Sequence, residues 1–320
     1  MGSTGTDPLV SIIVVSFNTR EMTLECLRSV VAETTVPFEL IVIDNASTDG
    51  SAAAIAAEFP DIMLMAETDN HGFARANNIA ATQARGAYVL LLNPDTVVLD
   101  GAIDVLMDFA AQTPWAKIWG GRTLYGDRSP NPASCWGRMT LWNTFCRTAG
   151  LTGVFAGSEF FNGEAYGGWD RMTRRQVDIV SGCFFLIPRD LWQALGGFDL
   201  SFVMYGEEAD LCLRAARDHQ AAPEVTPDAV IVHYGGASET VRSDMMVRLL
   251  KAKITLIDRH FPTWQRPLAR GLFKLWPLSR RVASAVLRSG AASVWGEIWA
   301  RRDEWQCGYP TIVATKEAQA

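Results

Sequence analysis

Apolar residues along this chain follow two periods. "LVSIIVVSFN" (residues 9–18) is an unbroken, β-branched run that stops at Ser16 and Asn18. A run with no polar alternation predicts a strand buried on both faces of a parallel sheet. "TREMTLECLRSVVAET" follows with its apolar residues at helical spacing. The alternation then repeats: "FELIVIDNASTDGS" predicts a strand and turn, "SAAAIAAEF" a helix, "IMLMAET" a short strand, "GFARANNIAATQA" a helix and "AYVLLLNPDT" a fourth strand. Strands alternating with helices predict crossover units and a mostly parallel central sheet flanked by helices. Ligands of such sheets bind outside the carboxyl ends of the strands.

From residue 115 to 180 the pattern weakens. "YGDRSPNPASCWGRM" and "AGSEFFNGEAYGGWDRMTRR" are rich in Gly, Pro, Ser and aromatics, and predict long surface loops. Strand character resumes in "QVDIVSGCFFLIPRD". "LWQALGGFD" and "EEADLCLRAARDHQ" predict helices, and "AVIVHYGGAS" a last strand and turn.

Each early strand ends in polar residues: Ser16 and Asn18, then Asp44 and Asn45, then Asn93-Pro94-Asp95. Pro94 cannot donate to a ladder, so it ends its strand and leaves the side chains of Asn93 and Asp95 free in a turn. Turn-making alone accounts for such residues. At a strand tip Asp44 either caps the turn through the Ser47 or Thr48 amides or accepts a hydrogen bond from a nucleobase N–H. An acceptor there suits uracil or thymine N3–H and disfavours cytosine.

The chain has 320 residues, 48% hydrophobic and 20% charged, which is ordinary for a folded protein with a sizeable core. Its six cysteines form no CxxC pair, so neither a zinc ribbon nor a disulfide framework is expected, and a reducing cytosol is. "MGSTGTDPLV" has no basic head and apolar core, so no signal peptide is expected. No apolar stretch reaches the roughly 18 residues of a membrane span. The net charge of −6 is uneven: residues 241–302 hold 13 Lys/Arg against 3 Asp/Glu. That shift marks a change of organisation near residue 240. The acidic whole, with no base-reading motif, argues against nucleic-acid binding. "NTREMT" stands where a dinucleotide fold needs G-x-G-x-x-G, and no G-x-x-x-x-G-K-[ST] occurs.

Six motifs in order, "VSIIVVSFN", "LIVIDNASTDGS", "DNHGFARANN", "LLNPDT", "GGFDLSFVMYGEEADLCLR" and "IVHYGGAS", resemble the inverting GT-A glycosyltransferases of family 2, and within it bacterial rhamnosyltransferases of surface-glycan assembly. The resemblance covers roughly residues 9 to 240. It implies a GT-A fold with residues 1–240 as the catalytic domain. About 9–100 would form its nucleotide-sugar half and 101–240 its acceptor half, with residues 241–320 as a basic, Trp-rich helical extension.

By that resemblance, Asn93-Pro94-Asp95 stands in place of the family's Asp-x-Asp. A Mg²⁺ or Mn²⁺ there bridges the two phosphates of a nucleotide sugar, dTDP- or UDP-linked. Asp95 would be the anionic ligand, Asn93 a neutral donor, and His233 would complete the site. Ser16, Asn18, Asp44, Asn45, Gly72, Arg75 and Asn78 would serve the donor nucleotide, although Arg75 reads equally as a solvated helix residue. Glu207 and Glu208 open a helix, where acids favour the macrodipole. The resemblance makes one of them, Glu208 first, the base that takes the acceptor hydroxyl's proton. Gly182 would give a sugar room, and Asp178 matches a family acid. Asp210 stands four residues before Arg214 and either pairs with it or joins the site.

The acceptor would be a glycan or lipid-linked glycan, the sugar rhamnose from dTDP-rhamnose, and the setting the cytoplasm. Two readings stand for "RPLARGLFKLWPLSRRVASAVLRSGAASVWGEIWARR": a surface resting on the inner face of the cytoplasmic membrane, or a cap packed on the catalytic domain or on a second subunit. Two other readings of the whole chain are a non-catalytic sugar-nucleotide-binding scaffold and a sugar-phosphate nucleotidyltransferase. The second wants a Gly-rich, basic loop that "SFNTREMT" does not offer.

Overall fold

The computed structural model describes residues 7–235, 242–286 and 291–310. The first half alternates as expected: β1 (Val10–Ser16), α1 (Arg20–Glu33), β2 (Phe38–Asp44), α2 (Ser51–Glu58), β3 (Met63–Ala66), α3 (Gly72–Ala81) and β4 (Tyr88–Leu92). Then come β5 (Thr96–Val98), α4 (Ala102–Gln112), β6 (Trp119–Leu124), β7 (Pro130–Asn131), β8 (Cys135–Trp136), α5 (Leu141–Thr148) and α6 (Leu151–Val154). The chain continues through β9 (Arg175–Gln176), β10 (Ile179–Val180), β11 (Phe184–Pro188), α7 (Arg189–Ala194), α8 (Glu207–His219) and β12 (Glu224–His233). Four helices follow: α9 (Arg242–His260), α10 (Arg266–Val286), α11 (Ala291–Ala300) and α12 (Arg302–Trp305).

The main sheet runs β3-β2-β1-β4-β11-β6-β12-β5. β1 is parallel to β2 and β4, and β2 to β3. β11 inserts antiparallel between β4 and β6, while β6 and β12 are again parallel. Ile12 and Val14 of β1 point into one core with Leu24, Leu27 and Phe109. Ile13 and Val15 point into the other with Ala76, Phe185 and Phe198. Burial on both faces is why β1 reads as a continuous apolar run.

The region 115–180 is not all loop. It holds β6, which lies inside the sheet, and α5. The strand was obscured by Gly120 and Gly121, residues that weaken a strand signal. Their smallness is a packing requirement. A Cβ on Gly120 would meet Val180 Cγ1 at 2.5 Å, and one on Gly121 would meet the Ala229 carbonyl oxygen at 2.2 Å.

The helices after residue 240 build a third core from Val247, Ile254, Ile257, Phe273, Trp276 and Trp305. It reaches the rest of the chain through Met139 and Leu141. No helix among the described residues is long and apolar enough to cross a membrane.

Gly121→Ala is expected to destabilise the protein by about 1–3 kcal/mol, the usual cost of overpacking. A lower urea midpoint at unchanged slope checks this.

Candidate active site

The strand register gathers the polar tips at one edge. Ser16 pairs with Asp44 and Asp44 with Ala66, while Leu92 lies level with Val14. β12 runs in the same direction and brings His233 opposite Thr96. β11 runs the other way, so its first residue, Phe184, and the preceding Cys183 meet this edge too; the Asn93 N–H donates to the Cys183 carbonyl at 3.1 Å.

Asp44 is sealed at this edge. Its Oδ2 accepts the Ser47 N–H at 3.2 Å, while Oδ1 is buried with no partner. The residues around it are occupied with one another. Asn18, in a left-handed conformation, accepts the Thr48 N–H at 2.8 Å. Asn45 bridges Asn70 at 2.9 Å and the His71 N–H at 2.8 Å. The buried Ser16 hydroxyl bonds that of Thr23 at 3.0 Å. These side chains clasp the loops that follow β1 and β2, and leave Asp44 with one unused acceptor among them. An unmet buried acceptor is costly, and a ligand N–H would satisfy it.

Gly72 opens α3 at φ +73°, and a Cβ there would lie 3.4 Å from the Val203 carbonyl. Arg75 is exposed, three residues into the same helix. Asn78 departs from the expectation that it would serve the donor nucleotide. Its amide donates to the Phe198 carbonyl and accepts the Phe198 N–H, both at 2.9 Å, so both polar atoms clamp α3 to the loop before α8.

Asn93, Asp95 and His233 come together, and the turn's side chains are not free as expected. Asp95 is nearly buried. Its Oδ2 accepts the Gly235 N–H at 3.0 Å, and its Oδ1 lies 3.4 Å from His233 Nε2. Asn93 Nδ2 is 3.4 Å from the same nitrogen. Burial opposes both charges, yet the balance favours ionisation. His233 and the Gly235 N–H hold the Asp95 carboxyl below its usual range. The Cys183 thiol and Asp95 hold the imidazole above its own. Asn93 Oδ1 and His233 Nδ1 are buried without partners. One carboxylate with an orphaned amide oxygen beside it fits a hard cation that takes its remaining ligands from phosphate and water. Among the described residues no three His, Cys, Asp or Glu side chains cluster to hold a metal unaided. The rest of the "IVHYGGAS" turn, from Gly236 on, lies outside the described residues.

The first turn of α8 carries three acids with three different surroundings. Asp210 is buried in an ion network: Arg214 Nε at 2.6 Å and His260 Nε2 at 2.8 Å. Burial alone would raise its pKa, but His260 and Arg214 bring it below the usual value. Asp210 thus ties α8 to α9 and does not reach the strand edge. Glu207 is buried, and its Oε2 has no partner. Burial and then the neighbouring Glu208 push its pKa well up. Glu208 is partly exposed. Its pKa is also raised, by burial first, against the pull of backbone N–H groups and Lys253. It faces Gly182, whose missing Cβ would lie 3.4 Å from the Phe73 ring and 4.0 Å from Glu208 Cβ. Asp178 accepts the Arg138 N–H at 2.8 Å.

Sequence reasoning missed a buried ion triad near Glu208. Glu164 pairs with Lys253 of α9 and accepts from Arg147 Nη2 of α5 at 2.7 Å. Burial opposes the Glu164 charge, but the two cations bring its pKa down to about 2. Burial lowers the Lys253 pKa against the pull of Glu164. A signal for Lys253 existed: it lies three residues after buried Leu250 and four before buried Ile257, on the packed side of its helix. Glu164, in an aromatic loop, had none.

Glu207 has a folded pKa above its ordinary 4.5, so its contribution to stability is fully present below about pH 4.5 and is lost as pH rises through the folded value. Glu207→Gln is therefore expected to raise the urea midpoint at neutral pH, with the gain shrinking to nothing on acidification. Urea melts of both proteins across pH 4–8 measure this.

With this geometry established, known proteins give a consistent likeness. A model of glycosyl transferase family 2 matches residues 11–193, more than half of the chain. The N-acetylglucosaminyl-diphospho-decaprenol L-rhamnosyltransferase of Mycobacterium tuberculosis is 25% identical over 280 residues, which are 81% of this chain and 88% of that protein. The O-antigen biosynthesis protein RfbC of Myxococcus xanthus is 31% identical over 216 residues, 65% of this chain but only 16% of that protein. The solved mannosyltransferase PcManGT from Pyrobaculum calidifontis, in complex with GDP-Man and Mn2+, superposes at a TM-score of 0.58 and 19% identity, over 95% of this chain and 89% of that one. That likeness is one of fold, and the fold is GT-A. The chain is a glycosyltransferase and belongs to glycosyl transferase family 2.

Proposed function

We propose that the chain transfers a sugar, with inversion, from a nucleoside diphosphate donor to a hydroxyl of a glycan or lipid-linked glycan. The observation that carries this reading is the gathering of unmet polar atoms along one sheet edge, with Glu208 beside Gly182. The free acceptor of Asp44 lies at one strand tip, the Asn93–Asp95–His233 cluster at another, and Glu208 stands across Gly182.

In this reading Asp44 Oδ1 accepts N3–H of uracil or thymine, which favours dTDP- or UDP-linked donors. Asp95, with Asn93 Oδ1 and His233 once its proton has left, would hold a Mg²⁺ or Mn²⁺. When bound, such an ion offsets the charge of the diphosphate leaving group. Exposed Arg75 is available to a phosphate, and the bare backbone of Gly182 leaves room for the sugar. Glu208 takes the proton of the attacking hydroxyl. Its partial exposure and raised pKa suit a general base working near neutral pH, whereas Glu207 is sealed away. One base and one leaving group need no second carboxylate nucleophile, so the displacement inverts the anomeric centre. Rhamnose from dTDP-rhamnose is the sugar we favour, by the name of the relative that aligns along most of its length. Residues 1–240 are proposed as the catalytic domain and 241–320 as its extension.

Glu208→Gln is expected to slow transfer from dTDP-rhamnose by about 10²–10⁴-fold while dTDP binding stays as in wild type. Sugar-transfer assays beside nucleotide titrations check this. Loss of transfer in Glu207→Gln with Glu208→Gln still active would assign the base to the other residue.

A further inference from the structure

Helix α10 is apolar on both sides. Its inner side buries Ala269, Phe273 and Trp276 in the third core. On the outer side Trp264, just before the helix, is followed by Leu268, Leu275, Val282 and Val286, each at least half exposed, with Trp264 at 77% and Val286 at 76%. Gly271 and Leu278 fill the gaps, so the spacing stays at three or four and draws one stripe along the helix. Lys274 and Arg281 each precede a stripe residue and share one edge of it.

A second apolar feature adjoins this helix. α5 packs on α10 through the Thr148 hydroxyl, which donates to the Leu272 carbonyl at 2.8 Å, and the Ser279 hydroxyl, which donates to the Thr148 carbonyl at 3.0 Å. From α5 and the loop after it, Trp142, Phe145, Phe155 and Phe160 are exposed. Their rings cluster: Trp142 stacks on Phe145 with centroids 5.6 Å apart, lies tilted to Phe160 at 5.1 Å, and reaches Phe155 through Phe161. Exposed apolar surface on this scale marks a binding face.

We infer that the outer face of α10, with the aromatic cluster beside α5, is a docking surface for an anionic lipid bilayer. The argument from charge is specific. The α9–α12 segment is strongly basic in a chain that is otherwise acidic. Several of its cations are already paired, as Arg259 is with Asp199 and Arg270 with Asp258. Lys274 and Arg281, beside the stripe, take part in no ion pair among the described residues. An apolar helical face edged by cations and flanked by Trp and Phe matches a helix lying in the headgroup region. The surface deepens the proposed function, because an enzyme using a lipid-linked acceptor gains by resting on the bilayer that holds it.

The test is co-sedimentation of the full chain with phosphatidylcholine vesicles, with and without phosphatidylglycerol, beside sedimentation velocity without lipid. Wild type is expected to bind the anionic vesicles, less at high salt. Leu275→Ser/Val282→Ser, two exposed positions, is expected to weaken partitioning about tenfold or more. Lys274→Glu/Arg281→Glu is expected to remove the preference for phosphatidylglycerol. Absence of vesicle binding by wild type, or equal binding by the serine variant, would overturn the inference. So would a dimer that the serine substitutions split, which would assign the stripe to a second copy. Titration with dTDP and Mn²⁺ on the same samples keeps the two readings separate: loss of nucleotide binding in wild type counts against the donor site, whatever the vesicles show.

Discussion

The site depends on the register of four parallel strands. β1, β2, β3 and β4 are hydrogen-bonded side by side, and β1, β2 and β4 are apolar along nearly their whole length. Polar chemistry has no place inside such strands, so it collects where they end. Because the register aligns those ends, Ser16, Asp44 and the turn at Asn93–Asp95 meet along one edge. β12 and the start of β11 add His233 and Gly182 from the far half of the chain. A shift of one residue in any of these ladders would exchange a strand's side chains between the two cores and move its polar tip out of line. The site is therefore as well determined as the core beneath it.

Within that frame, the same residue type takes different roles according to what surrounds it. Asp210 is buried and fully paired, so it joins two helices. Glu207 is buried and unpaired, so it costs stability at neutral pH. Glu208, one residue on, is partly open and faces Gly182. Asn45 and Asn78 show the same divergence from Asp44. The amides are used up on neighbouring loops and backbone, while the carboxylate keeps a free oxygen. At the strand edge it is the unmet atoms of Asp44, Asn93 and His233, rather than the polar residues in general, to which we assign the ligand.

Much of this was legible from the chain alone. The apolar runs of β1, β2 and β4 fixed the sheet's parallel half, and the polar residues just after each run marked its edge. β6 was not legible, because its two glycines make room for Val180 and Ala229, neighbours distant in sequence. The role of Asn78 was hidden for the same reason, since its partner is 120 residues away. Charge spacing offered the Asp210–Arg214 pair as one of two readings, but gave no sign of His260, which arrives from another helix. The ion triad of Glu164, Lys253 and Arg147 joins three separate segments, and local patterning reports only within a segment. The basic, Trp-rich tail left a cap and a membrane surface open as alternatives. Its third core and its exposed stripe show that α10 packs with one face and leaves the other exposed among the described residues.

The measurement that bears most directly on this account is calorimetric titration of dTDP and UDP into wild type and Asp95→Ala, each with Mn²⁺ and with chelator. The account predicts binding by wild type with Mn²⁺, and marked weakening both on chelation and on loss of the Asp95 carboxylate. Equal affinity under all four conditions would contradict it, because the cluster at the end of β4 would then have no part in holding the donor.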